Sequence, residues 1–221
     1  VQVLTRDDEE VRIHPHYGVF SPVRGEYIEL VLRTPLPAAI QKTSIAFDIG
    51  VGTGVLSVVL AMREIKKIIA TDQDDRAIAC AKDNIARLGL SSQIVILKTD
   101  LFPAEKAALI VCNPPWLPAR PSSSLEHAVY DPESQMLKGF LSKLKDHLLP
   151  GGEGWLILSD LAEHLGLRTR AELLLWIQNA GLKVLGRLDT KPTHQKVFDQ
   201  ENALYKARSA EITSLWRLAS A

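Results

Sequence analysis

Phe47-Asp48-Ile49-Gly50-Val51-Gly52-Thr53-Gly54 is the stretch whose reading decides the fold. It closes a β-branched and apolar run, Ser44–Ile49, that reads as a strand. It precedes a helical pattern through Leu56, Val59, Leu60 and Ile65. Glycines here let the backbone turn tightly and approach a ligand that a Cβ would block. The helix start beyond them offers free N–H groups, suited to a carboxylate. A dinucleotide fingerprint needs glycines at 50, 52 and 55, but position 55 is Val. That disfavours a nicotinamide-dependent oxidoreductase. The spacing is G-x-G-x-G, with the acid Asp48 two residues earlier.

Outward from the loop, short strands alternate with amphipathic stretches. Lys67–Thr71 reads as a strand, and Asp74 caps a helix with Ile78, Ala81, Ile85 and Leu88 on one face, ended by Gly89. Ile94–Thr99 and Leu109–Cys112 are two further strands. Glu133–Leu149 is expected as a helix stopped by Pro150-Gly151-Gly152, followed by a strand at Trp155–Leu158. Leu161–Ala180 reads as mostly helical, and Leu182–Leu188 as a strand. Such alternation argues for an α/β fold, a parallel sheet covered by helices on both faces. Beyond it Thr193–Arg208 is polar and charged, and Glu211–Leu218 reads as a final strand. So short a connection favours an antiparallel hairpin with the strand before it. Residues 1–42 read as an N-terminal extension packing on a domain of residues 43–221, with a strand near Val11–Ile13 and a helix at Glu26–Arg33.

The 221 residues suit one domain, and 46% apolar with 24% charged residues is ordinary globular composition. Lys+Arg and Asp+Glu balance at 26 each, which marks no polyanion partner yet leaves room for a local basic patch. Cys80 and Cys112 stand apart, without metal-ligand spacing, in core-like patterns; they suit a reducing cytoplasm. No apolar run approaches the roughly 20 residues of a membrane helix, so no membrane partner is expected. His14-Pro15-His16 has no accompanying ligand cluster, and no metal is expected.

The glycine loop resembles that of class I S-adenosylmethionine-dependent methyltransferases. Their sulfonium cofactor has no pyrophosphate, so the loop would face its methionine part and ribose. Ligands of an open parallel sheet lie beyond the carboxyl ends of the strands. Asp72 ends the second strand, where a carboxylate can accept two ribose hydroxyls. Asp100 ends the third, where it can accept the adenine amino group while Leu101 covers the ring. Read singly, each acid is equally a solvated loop residue.

The next strand runs into Asn113-Pro114-Pro115-Trp116. Two prolines lock φ and remove two backbone donors, leaving a stiff turn that presents carbonyls and the Asn113 side chain. An amide or exocyclic amine has two N–H bonds to satisfy. The Asn113 oxygen and the Pro114 carbonyl can take one each, and Trp116 gives a flat face for stacking. The motif resembles that of amino-methyltransferases: release-factor glutamine methyltransferases, adenine-amine DNA methyltransferases, and RNA methyltransferases of the small methyltransferase domain. The similarity covers about Tyr17–Gly181. It implies a Rossmann-like, seven-stranded, mostly parallel sheet with an antiparallel last strand. It also implies S-adenosylmethionine contacts at Asp48, Gly50, Val51, Gly52, Thr53, Gly54, Asp72, Asp100 and Leu101. Asn113, Pro114, Pro115 and Trp116 would be the catalytic set. Trp116 departs from the commoner Tyr or Phe, and Gly18-Val19-Phe20-Ser21-Pro22 matches the glutamine enzymes' Pro-containing segment only loosely.

The expected activity is methyl transfer to a planar nitrogen of a macromolecule, RNA or protein. An RNA base is favoured over a protein glutamine, because the turn with its stacking face suits an unpaired base. DNA is less expected, since little length remains for a target-recognition domain. The reading of another class is a silent, cofactor-binding partner subunit, which would have no need of the Asn113–Trp116 turn. Tyr17, Phe20 and Arg24 either close over the cofactor or pack the N-terminal arm, and the basic residues of Lys191–Arg208 form either a substrate-facing flap or a solvated linker.

Overall fold

The computed structural model describes residues 2–6, 9–19, 21, 25–118, 130–192 and 205–221. A two-stranded antiparallel ribbon pairs β1 (Gln2–Arg6) with β2 (Glu9–Arg12). Two helices follow, α1 (Glu26–Arg33) and the short α2 (Ala39–Lys42). The body then alternates β3 (Ile45–Ile49), α3 (Val55–Met62), β4 (Lys67–Asp72), α4 (Asp75–Arg87), β5 (Ile94–Lys98) and β6 (Ala107–Cys112). It continues with α5 (Gln135–His147), β7 (Leu148–Ser159), α6 (Leu161–His164), α7 (Arg170–Asn179), β8 (Leu182–Thr190), α8 (Tyr205–Ala210) and β9 (Thr213–Ser220).

β3 to β9 form one sheet in the order β5-β4-β3-β6-β7-β9-β8. The first five of these are parallel, and β9 runs antiparallel to both β7 and β8. Successive side chains of a strand point to opposite faces, and the two cores follow that rule. Ile68, Ala70, Leu109 and Val111 join α1, α3 and α4 on one face. Phe47, Ile69, Ile110 and Cys112 join α5 and α7 on the other. Trp155 and Trp216 are buried on opposite sides, and both cysteines are free and buried.

Several boundaries differ from the periodicity. α3 stops at Met62, so Ile65 is buried from a loop. Pro132–Ser134 forms a separate 3-10 turn before α5, and α5 ends at His147. Pro150-Gly151-Gly152 lies within β7. The ladder passes from Ala107 opposite Leu148 to Leu109 opposite Glu153, so this turn-like tripeptide bulges out of a continuing strand. The stretch expected as one helix after Leu161 divides into α6 and α7, with a capping box at Thr169 and Glu172 opening the second.

Asn84 of α4, almost fully buried, ties the N-terminal segment to the body. Its amide accepts from the His14 N–H (2.8 Å) and donates to the His14 and Thr53 carbonyls (3.1 Å each). The second histidine of that segment, His16, lies 3.1 Å from the Asp83 carboxylate. Tyr17 is fully exposed, while Phe20 and Arg24 fall outside the described residues, as does 193–204 of the Lys191–Arg208 segment.

Candidate functional site

Strand register sets the site. Ile49 of β3 is level with Thr71 of β4 on one side and Cys112 of β6 on the other. The next residue of each strand is Gly50, Asp72 and Asn113, so three candidate groups from distant parts of the chain leave the sheet side by side. Thr99 and Asp100 follow the end of β5, beside Asp72.

The loop is held down from β4. The Gly50 and Val51 N–H groups both donate to the Thr71 carbonyl (2.9 and 2.8 Å), and the Gly54 N–H donates to the Val51 carbonyl (2.8 Å). Gly50, Gly52 and Gly54 have φ of 79°, 52° and 83°, the left-handed region that glycine enters without steric cost. Asp72 holds the loop as well: Oδ2 accepts from the Gly52 N–H (3.1 Å), and Oδ1 from those of Gln73 (2.8 Å) and Asp74 (3.0 Å). Asp74 itself caps α4 through the Arg76 N–H.

The three glycines are not equivalent. A Cβ at Gly54 would lie 3.3 Å from the Ala81 Cβ, and one at Gly50 would lie 2.8 Å from the Met136 methyl. At Gly52 a Cβ would meet no protein atom within 4 Å. Gly52→Ala is therefore expected to melt within a few degrees of the parent while binding S-adenosylhomocysteine about tenfold more weakly. Parental affinity in isothermal calorimetry would place the ligand away from this glycine.

A cavity of about 440 Å³ opens over these strand ends, a volume within the roughly 300–1,000 Å³ of small-molecule sites. Gly50, Asp72, Asp100 and Leu101 line it, and so do Gln73, Asp131, Met136 and Gly139. Its carboxylates Asp72 and Asp100 share the lining with the apolar Leu101 and Met136, a combination that fits a nucleoside bearing hydroxyls and a flat ring. Gln73 Nε2 donates to Asp100 Oδ1 (2.6 Å). Leu101 has φ of 62°, and its carbonyl accepts from the Thr71 hydroxyl (2.5 Å). Its side chain packs over Gly139, where a Cβ would approach the leucine methyl to 2.8 Å.

Asp131, Met136 and Gly139 were not singled out in the sequence. The buried Asp131 carboxylate accepts from the Met136 and Leu137 N–H groups (2.9 and 3.1 Å), holding the start of α5 against the cavity. The one signal in the sequence was a glycine in mid-helix, which marks close approach of a neighbour.

Asp48 lies beneath the loop, 1% exposed, and Val51, Thr53 and Gly54 are buried with it. Its Oδ2 accepts from the Ser57 hydroxyl (2.6 Å), and its Oδ1 has no hydrogen-bond partner among the described residues. Burial pushes this carboxyl up to about 7 against the pull of the Ser57 hydrogen bonds, with the Asp72 charge adding to the rise. A value raised in the folded state favours folding most at low pH, and that contribution is lost as pH rises through about 7. Between pH 5 and 8 the ligand-free protein should lose on the order of 2 kcal/mol relative to Asp48→Asn. Urea unfolding of both proteins at the two pH values checks this; a gap that does not change with pH would mean that Asp48 is ionised throughout.

Just beyond β6, Asn113 and Trp116 are half-buried, Pro114 is buried and Pro115 half-buried. The Trp116 indole N–H donates to Asn113 Oδ1 at 2.9 Å. The Trp116 ring packs against both cores. Leu117 then accepts through its carbonyl from the Asp131 N–H (2.8 Å), so the turn and the start of α5 are joined. Among the described residues no cluster of three or more His, Cys, Asp or Glu is placed to hold a metal, and no helix is long and apolar enough to cross a membrane.

Comparison with known proteins agrees with this geometry. The chain is 37% identical over 110 residues to the release factor glutamine methyltransferase of Cereibacter sphaeroides, covering 48% of this chain and 36% of that enzyme. It is 31% identical over 119 residues to the tRNA1(Val) (adenine(37)-N6)-methyltransferase of Bacteroides thetaiotaomicron, covering 49% of this chain and 50% of that enzyme. The match thus spans about a third to a half of these relatives' lengths. The fold is shared with the ribosomal protein L11 methylase of Lactobacillus delbrueckii subsp. bulgaricus, at a TM-score of 0.63 and 17% identity over 100% of this chain and 88% of that one. Residues 10–171, well over half of the chain, match the methyltransferase small domain, and the protein belongs to that family.

Proposed function

We propose that this protein transfers the methyl group of S-adenosylmethionine to a planar nitrogen, the exocyclic amine of an RNA base, with the side-chain amide of a protein glutamine as the second reading. The observation that carries it is the register of β3, β4 and β6, by which the glycine loop, Asp72 and the Asn113–Trp116 turn leave the sheet together. The cofactor supplies an electrophilic methyl group. Asp72 takes the ribose hydroxyls, Asp100 and Leu101 the adenine, and the loop from Gly50 to Gly54, backed by Asp48, the methionine part. Asn113 Oδ1 and the Pro114 carbonyl each accept one N–H of the target, turning its lone pair toward the methyl group. As the methyl group passes to nitrogen, S-adenosylhomocysteine would leave and one of the two N–H protons would pass to water, so no strong base is required and catalysis is positioning with electrostatic stabilisation.

The half-buried Trp116 ring beside Asn113 supports a stacked base. The kinship with a glutamine methyltransferase supports the second reading. We read residues 43–221 as the methyltransferase domain and 1–42 as an extension joined to it through Asn84, acting in the cytoplasm. Transfer of tritiated methyl groups to separated RNA, DNA and protein fractions of the source cell tests the activity, and calorimetry with S-adenosylhomocysteine against NAD tests the cofactor. Label in RNA is the expected result, and label in protein would select the glutamine reading. Label in no fraction, or heat with NAD alone, would overturn the proposal.

A further inference from the structure

The geometry points to Trp116 as a positioning residue that fixes the Asn113 amide through its indole N–H. This rests on the methyl-transfer reading above, which places Asn113 at the target nitrogen. An asparagine that opens a turn ordinarily has a local partner, since its oxygen accepts the N–H of the residue two positions on. Here that residue is Pro115, which has no N–H, and Pro114 has none either. The turn that presents Asn113 therefore removes the backbone donors that would hold its side chain. The donor that replaces them is Trp116 Nε1, at 2.9 Å from Asn113 Oδ1.

An indole N–H can only donate, so the atom facing it must be the amide oxygen and not the amide nitrogen. The contact thus settles which way round the amide stands. A carbonyl oxygen has two lone pairs; one takes the indole and the other is left for an N–H of the target. Packing of the Trp116 ring against both cores keeps the donor from following the side chain if it turns. Phenylalanine at this position would keep a stacking face but has no donor. Tyrosine carries its hydroxyl at the far end of the ring. The tryptophan, a departure from the aromatic residues commoner in this motif, supplies both a face and an anchor.

The test is a double-mutant cycle of Trp116→Phe and Asn113→Ala, read by tritiated methyl transfer to whichever cell fraction the parent labels. Trp116→Phe should lower turnover at saturating substrate about tenfold while leaving KM and S-adenosylhomocysteine affinity within about twofold of the parent. In the Asn113→Ala background the same change should alter turnover less than about twofold, because the group it acts through is gone. Parental turnover in Trp116→Phe, or single effects that multiply in the double variant, would overturn this inference. Parental turnover in Asn113→Ala would instead sink the methyl-transfer reading itself.

The contact can also be read without substrate. The four tryptophans give four indole N–H signals in a nitrogen-15 correlation spectrum. The signal absent from Trp116→Phe should be the one that moves most in Asn113→Ala. A Trp116 indole signal unmoved by loss of Asn113 would remove the hydrogen bond, and the inference with it.

Discussion

Asn113→Ala is expected to lower methyl-transfer turnover by about 10²-fold or more, the scale of losing one preorganised polar group that acts in the transition state. The side chain leaves the sheet at the end of β6, one strand over from the glycine loop, and does not line the cavity over the strand ends. S-adenosylhomocysteine affinity should therefore stay close to the parent's. Trp116→Ala should combine the roughly tenfold fall in turnover expected of Trp116→Phe with a rise in KM, because it removes the indole N–H and also a stacking face worth about 1–3 kcal/mol. Initial rates across a range of substrate, with calorimetry for the cofactor, separate the two patterns. An Asn113→Ala protein that turns over at the parental rate would exclude transfer to a nitrogen held by this turn, whatever the cofactor.

Asp72→Ala should weaken S-adenosylhomocysteine binding thirtyfold or more, since a carboxylate accepting two hydroxyls contributes on the order of 2–4 kcal/mol. The structure adds a second route to the same loss. The carboxylate also accepts the N–H groups of Gly52, Gln73 and Asp74, so alanine releases the loop as well as the ligand. Asp72→Asn keeps one acceptor oxygen and the shape, and should fall between parent and alanine. Asp72 is half-buried at a strand end outside both cores, so both variants should melt within a few degrees of the parent. Calorimetry that finds Asp72→Ala as tight a binder as the parent would move the ribose elsewhere.

Much of this arrangement was legible in the sequence because it is local. The Gly50–Gly54 turn, the Asp74 cap and the Gly89 stop are set by residues within a few positions of each other, and they fixed the alternation from which the parallel sheet follows. The reversed strand at Thr213–Ser220 was legible from the shortness of its connection. What escaped is what only the sheet brings together. Asp131, just ahead of the 3-10 turn, and Gly139, in α5, come 18 and 26 residues after Asn113, and only the return of the chain through α5 brings them to the cavity that Leu101 lines. Pro150-Gly151-Gly152 reads as a stop by local chemistry, yet pairing with β6 before it at Leu148 and after it from Glu153 carries the strand through as a bulge. The orientation of the Asn113 amide was hidden for the opposite reason: the motif was plain, but which atom faces which depends on where a ring three residues away is packed.

The order β7-β9-β8 bears on how the chain can be made. A ribosome delivers β8 before β9, yet β8 has no place in the sheet until β9 has been laid against β7. Until then β7, with Leu156 and Ile157 fully buried in the finished protein, presents an open edge and an uncovered apolar surface, the kind of template on which chains pair wrongly with one another. The half that carries the glycine loop, β3 to β6, has all its strand partners by then. Synthesis thus passes through an interval in which the glycine-loop half can be complete while the other flank is still adhesive, and losses to aggregation should be concentrated in that interval.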